Sequence, residues 1–164
     1  MARPLIIFED DGVSRLYPLT LTRPVFDLVC GILSLGEKLR VGLGRGSWGG
    51  PEGGSGSPDL RFHMRAYLGS EAPDAVVSYT DLYRASDLLT FINGRLIFCE
   101  KVFEKMDFTW VGKYVSGGTV IAATLPKDRG VMLNGRVGSP LDSKVFADLP
   151  ARPVDACVIT YTWI

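Results

Sequence analysis

The chain is short of several things, and each shortage excludes something. It has one histidine, His63, and three cysteines, Cys30, Cys99 and Cys157, among 164 residues. The cysteines are far apart, odd in number and form no Cys-x-x-Cys pair. That pattern argues against a zinc site built from cysteine and histidine. Each cysteine sits among apolar residues, which predicts buried free thiols in a reducing, cytoplasmic compartment. Charge of one sign is also lacking: 18 basic residues meet 18 acidic ones. No field exists to hold nucleic acid or anionic lipid. No apolar run approaches the roughly 20 residues of a spanning helix. The first apolar run, Pro4 to Phe8, meets Glu9-Asp10-Asp11 too soon to form the core of a secretory leader.

What is present is an ordinary globular composition, 46% hydrophobic and 22% charged. The length fits one domain, 1–164, with enough chain to bury a core. Pro4 to Phe8 reads as a buried first strand. Residues 10 to 24 are turn-rich. Leu28, Ile32, Leu35, Leu39 and Leu43 recur as the stripe of an amphipathic helix, with Gly42 and Gly44 as its stop. Residues 42 to 59 read as a flexible Gly/Ser-rich loop. A phosphate-binding glycine loop there lacks the strand before it and the helix behind it.

Beyond the loop, residues 60 to 68 are mixed, 75 to 79 read as a strand and 82 to 90 as a short helix. Asn93-Gly94 is either a hairpin turn or a turn at a strand end. Residues 100 to 106 are helix-like. Gly117-Gly118 between apolar β-formers signals a hairpin. Residues 142 to 149 form a short helix before Pro150, and 157 to 164 read as a strand. The chain stops inside that apolar pattern, which suggests a piece of a longer protein, a C-terminal strand tucked into a sheet being the alternative. Strands interleaved with helices indicate an α/β domain, mainly parallel, with hairpin additions.

The segment between the first strand and the first helix carries the chemistry. In an open α/β sheet, ligands bind beyond the carboxyl ends of the strands. Gly12 lets the backbone approach a ligand. The amides of Gly12, Val13 and Ser14 can form a nest for phosphate oxygens, and the Ser14 hydroxyl is a further donor. Arg15 can grip a phosphate bidentately. The competing reading is a structural loop in which Arg15 and Arg23 pair with Asp10, Asp11 or Asp27.

Gly12-x-Ser14-Arg15-Leu16-x-Pro18-Leu19-Thr20-x-Thr22-x-Pro24 resembles the signature of the sugar nucleotidyltransferases. The continuation through Arg23-Pro24-Val25-Phe26-Asp27-Leu28, Gly31-Ile32 and Glu37-Lys38 is similar to a divergent, bacterial-type branch, like the N-terminal domain of N-acetylglucosamine-1-phosphate uridyltransferase. The match is strong over 5–39 and patchy over 91–123. The resemblance implies a nucleotide-diphospho-sugar transferase-like, Rossmann-like sheet flanked by helices, here incomplete. It implies a β-helix domain beyond the chain end, through which copies could assemble. The implied reaction transfers a nucleotidyl group from an NTP to a sugar 1-phosphate and releases pyrophosphate. On that resemblance Arg15 is catalytic, Gly12, Val13, Ser14 and Arg23 hold the nucleotide, and magnesium bridges the phosphates. Asp11, Asp27, Lys38, Asn93 and Arg95 are weaker candidates.

The departures from the signature are specific. Its two loop glycines fall on Asp11 and Val13, and Val25 stands where it has a lysine. The aspartate that follows Asn-Gly in many relatives, a metal ligand there, is Arg95 here. Glu9, Asp10 and Asp11 would repel phosphate unless they turn away or bind metal. Asp27 reads better as a cap or a partner of Arg23, and Lys38 as one of a solvated helical pair with Glu37. These changes admit an alternative: a degenerate nucleotide-binding or regulatory domain that keeps the fold without turnover. A blander option is a scaffold for assembly.

Overall fold

A computed structural model describes residues 4–45, 59–71 and 76–161. The glycine-rich 46–58, Trp48, the start of the 75–79 strand and the terminal Trp163-Ile164 lie outside the described residues. The centre is β1 (Pro4–Phe8), buried along its whole length. It pairs in parallel with β4 (Asp59–His63) on one side and β5 (Leu88–Asn93) on the other. A strand covered on both faces needs no polar alternation, and this is why Leu-Ile-Ile-Phe is continuous. Beyond β5 the order runs β7 (Thr119–Pro126), β6 (Gly112–Ser116) and the exposed edge β8 (Ala151–Pro153). β7 is antiparallel to β5 and β6, and β8 is parallel to β6. The mixed sheet flanked by helices is the expected α/β architecture.

The pleat sorts the apolar residues into two cores. Leu5, Ile7 and Ile92 face α1 (Leu35–Arg45), through Leu35, Leu39 and Leu43. Ile6, Phe8 and Phe91 face α2 (Tyr79–Ala85) and Phe146. The chain leaves β1 for β4, crosses back over β1 to β5, and so changes direction at β1. That is the topological switch point, where the crevice beyond the strand ends opens.

The first helix begins seven residues later than the stripe suggests. Val29–Cys30 (β2) and Leu33–Ser34 (β3) form a small hairpin around Gly31, whose φ of +81° belongs to the left-handed region. Ile32, at its tip, is 97% exposed. The helix then starts with a reciprocal cap: Glu37 N–H donates to Ser34 Oγ (3.2 Å) and Ser34 N–H donates to Glu37 Oε2 (2.7 Å). The hydrogen bond from the Ser34 backbone, followed by that with its side chain, holds the Glu37 carboxyl below its ordinary value. Gly42 does not stop the helix. A Cβ there would lie 2.2 Å from the Phe98 ring, so the glycine lets α1 pack against it.

Other expectations also shift. Within 75–79, Val76 makes only an isolated bridge to Phe62, and Tyr79 opens α2. Residues 88–90 of the expected helix belong to β5 instead. The 100–106 helix is reduced to α3 (Glu100–Phe103), and 127–131 adds a short α4 (Lys127–Val131). Residues 143–146 make a 3-10 turn capped by Asp142, which accepts from Lys144 N–H at 2.9 Å. The described part of 157–164 is no sheet strand. It lies along 95–97, with Ile97 N–H to the Cys157 carbonyl and Ile159 N–H to the Arg95 carbonyl. The cysteines are not buried: Cys99 and Cys157 are exposed and Cys30 is half-buried, because all three fall at the ends or outside of the elements that make the cores. The Gly117-Gly118 hairpin forms as expected, both glycines at positive φ (+55° and +82°). Among the described residues no helix is long and apolar enough to cross a membrane.

Candidate functional site

Two parallel strands end together. Phe8 is in register with Asn93, so the residues after each strand emerge side by side. The Gly94 N–H donates to the Phe8 carbonyl at 2.8 Å, which settles Asn93-Gly94 as a turn at a strand end. From β1 come Glu9, Asp10, Asp11 and Gly12; from β5 come Asn93 and Arg95. Because β7 is antiparallel to β5, its beginning reaches the same end of the sheet. Gly118, Thr119 and Val120 therefore stand opposite Gly12.

The three acids behave differently. Glu9 is fully buried and bound on both oxygens. Arg65 donates from Nε to Oε2 (3.0 Å) and from a terminal nitrogen to Oε1 (3.0 Å). The Arg65 and Val25 backbone N–H groups complete the set. This pair pins the far end of the 10–25 loop to the sheet. The Glu9 hydrogen bond and charge raise the Arg65 guanidinium against the opposing cost of burial. Asp10 is nearly buried and faces Arg95, which donates from Nε to Oδ1 at 2.7 Å and from a terminal nitrogen to Oδ2. Asn93 Nδ2 donates to the same Oδ2 (2.8 Å) and to the Val120 carbonyl (3.0 Å). Only Asp11 is left exposed on the cleft. Two of the three acids are thus paired with arginines from later in the chain.

Arg95 is held from all sides. Its other terminal nitrogen donates to the Ile159 carbonyl at 2.9 Å, its backbone N–H donates to Asn93 Oδ1 at 2.9 Å, and Gly12 covers it. A Cβ on Gly12 would lie 2.5 Å from the guanidinium carbon. The glycine that the sequence offers for close approach to a ligand is also required by Arg95. The cleft above has a volume of about 180 Å³ and is lined by Asp10, Asp11, Gly12, Arg15, Arg95, Thr119 and their apolar neighbours.

The structure brings together Gly12, Arg15, Asp11 and Arg95. Arg15 is exposed on the cleft, and among the described residues its guanidinium makes no ion pair. Asp10 pairs with Arg95 rather than with Arg15 or Arg23. Asn93 supports from beneath. Val13 turns its side chain into the first core and accepts through its carbonyl from Thr20 Oγ1 at 3.0 Å. Ser14 donates its hydroxyl to the Asp11 carbonyl (3.1 Å). Arg23, Asp27 and Lys38 do not line the cleft. The Arg23 carbonyl takes a bond from Arg65 instead. Partial desolvation raises the Asp27 carboxyl, while Arg23 draws it down. The Glu9–Arg65 pair was not foreseen, and only its odd apolar setting, an acid directly after a buried strand, signals it.

The donor set does not fit a resident magnesium ion. Magnesium binds hydrated, through one or two carboxylates together with substrate phosphates, yet both oxygens of Glu9 and of Asp10 are already hydrogen-bonded, which leaves Asp11 as the one of the three acids open to it. Among the described residues no three His, Cys, Asp or Glu side chains gather as a metal site.

The fold has a solved counterpart. The structure of the inositol-1-phosphate CTP transferase from T. maritima superposes with a TM-score of 0.51 at 12% identity, covering 98% of this chain and 90% of that one. At that identity the likeness is one of fold. No curated protein matches the chain. The family model described as sugar nucleotidyl transferase matches residues 5–163, nearly the whole length, and the chain belongs to that family.

Proposed function

We propose that the chain transfers a nucleotidyl group from an NTP to a sugar 1-phosphate, releasing pyrophosphate. The observation that carries this reading is the convergence of Arg15 and Arg95 on one open cleft at the switch point of the sheet. A phosphate oxygen of the sugar attacks the α-phosphorus, a new P–O bond forms, and the bond to the β-phosphate breaks. The attacking group is already an anion, so no general base is needed. This suits a cleft without a titrating histidine. What such a reaction asks of protein is alignment and fixed positive charge. Arg15 supplies charge at the rim, beside the departing phosphates, and the Gly12 backbone forms the floor. A volume of about 180 Å³ suits the phosphate end of a nucleotide, since whole ligands fill pockets of roughly 300–1,000 Å³.

A second reading, binding without turnover, draws on the Asp10–Arg95 pair, which cancels much of the local positive charge. Pyrophosphate release from each of the four NTPs over a panel of sugar 1-phosphates separates the two. Release with one pair of substrates supports transfer. Nucleotide binding with no release from any pair leaves the binding reading.

A further inference from the structure

The donor that faces the cleft from below is the Arg95 guanidinium, already paired with Asp10, which lines the cavity too. Arg95 is 4% exposed yet lines the cavity. Its described bonds use three N–H groups, two to Asp10 and one to the Ile159 carbonyl, and a guanidinium has five in a rigid fork. One N–H on each terminal nitrogen remains. The group cannot swing aside, because Gly12 covers one face, Asp10 chelates one edge and the Ile159 carbonyl holds another. A planar donor fixed in this way is organised before the anion arrives. A divalent cation cannot take its place at Asp10 without breaking a buried ion pair and leaving the guanidinium unpaired.

We propose that this cleft binds the polyphosphate end of its ligand without a metal ion, with Arg95 as the fixed cation beneath and Arg15 as the exposed cation at the rim. The inference rests on the cleft being the phosphate site. It departs from the magnesium that the resemblance implies. Asp11, which makes no ion pair among the described residues, then acts against binding, as a negative charge beside an anion, rather than for it, as a metal ligand. The two cases give opposite signs for one exposed substitution.

The test is titration calorimetry with inorganic pyrophosphate on the full chain, once in EDTA and once with millimolar magnesium. The expected dissociation constant in EDTA is no more than about threefold weaker than with magnesium. Asp11→Asn, at an exposed position that carries no fold, is expected to tighten binding in EDTA about threefold, on the scale of one like charge removed at the edge of water. Arg95→Lys keeps the charge and loses the fork, and is expected to weaken binding at least tenfold, with a melting curve to show that it folds. If it does not fold, Asp11→Asn decides. Binding seen only with magnesium, or weakened there by Asp11→Asn, overturns this inference and leaves the phosphate site standing. No binding under either condition overturns both.

Discussion

Gly12 and Arg95 lie in contact across 83 residues of chain, so close that a Cβ at Gly12 would sit 2.5 Å from the guanidinium carbon. An arginine tip normally moves aside for a methyl group. This one is fixed by Asp10 and the Ile159 carbonyl. Gly12→Ala is therefore expected to cost about 1–3 kcal/mol of stability, as overpacking does. Pyrophosphate affinity should fall with it. Urea denaturation of the variant, beside calorimetry, checks both.

The Glu9–Arg65 pair is a second brace on the same loop. Removing one member of a buried pair leaves the other uncompensated, so Glu9→Ala is expected to lose about 3–5 kcal/mol. Proteolysis near Val25, whose N–H loses its acceptor, should become faster. A midpoint within error of the native one would show that the pair carries no weight.

Ile32 and Leu35 separate the stripe seen in the sequence from the helix that forms. Ile32 is at the exposed hairpin tip and Leu35 is fully buried. Ile32→Ser is expected to change stability by no more than about 0.5 kcal/mol, and Leu35→Ala to cost about 2–5 kcal/mol. Equal losses would restore a helix running from Leu28.

His63 is buried with its ring against Tyr79 Oη (2.7 Å) and the Ser139 carbonyl (2.8 Å). Burial holds its imidazole below the ordinary value near 6.5, against weaker raising effects of the Ser139 and Arg136 carbonyls and of Glu9. The unfolded chain then binds the proton more readily than the folded one. Stability from this group is complete above about pH 6.5 and is lost as the pH falls below it. Urea midpoints from pH 7.5 to 5 should decline more steeply for the native chain than for His63→Gln. Parallel slopes would remove His63 as the cause.

The sequence made some features legible because their causes are local. A run of apolar residues marks a strand covered on both faces, and two adjacent glycines mark a turn that needs positive φ twice. The start of α1 was also written locally, in Ser34-x-x-Glu37, but the regular spacing of Leu28 and Ile32 masks it. Spacing alone does not see Gly31, where the chain turns. The site is harder to read. Asp10 meets Arg95 and Glu9 meets Arg65 only because β1 lies between β4 and β5 with their ends aligned. No short-range pattern encodes which arginine answers which acid, so Arg15 and Arg23 looked like equal partners for Asp10. Family resemblance pointed to a loop that lines the cleft, and only the assembled sheet shows which of its charges are paired among the described residues.

Arg15 offers the most direct test of the cleft as the phosphate site. Its side chain is exposed, so Arg15→Ala should leave stability within about 0.5 kcal/mol of the native chain. Nucleoside triphosphate affinity, measured by calorimetry on both proteins, is expected to fall at least tenfold in the variant. An unchanged affinity in a fully folded Arg15→Ala would place the nucleotide somewhere else.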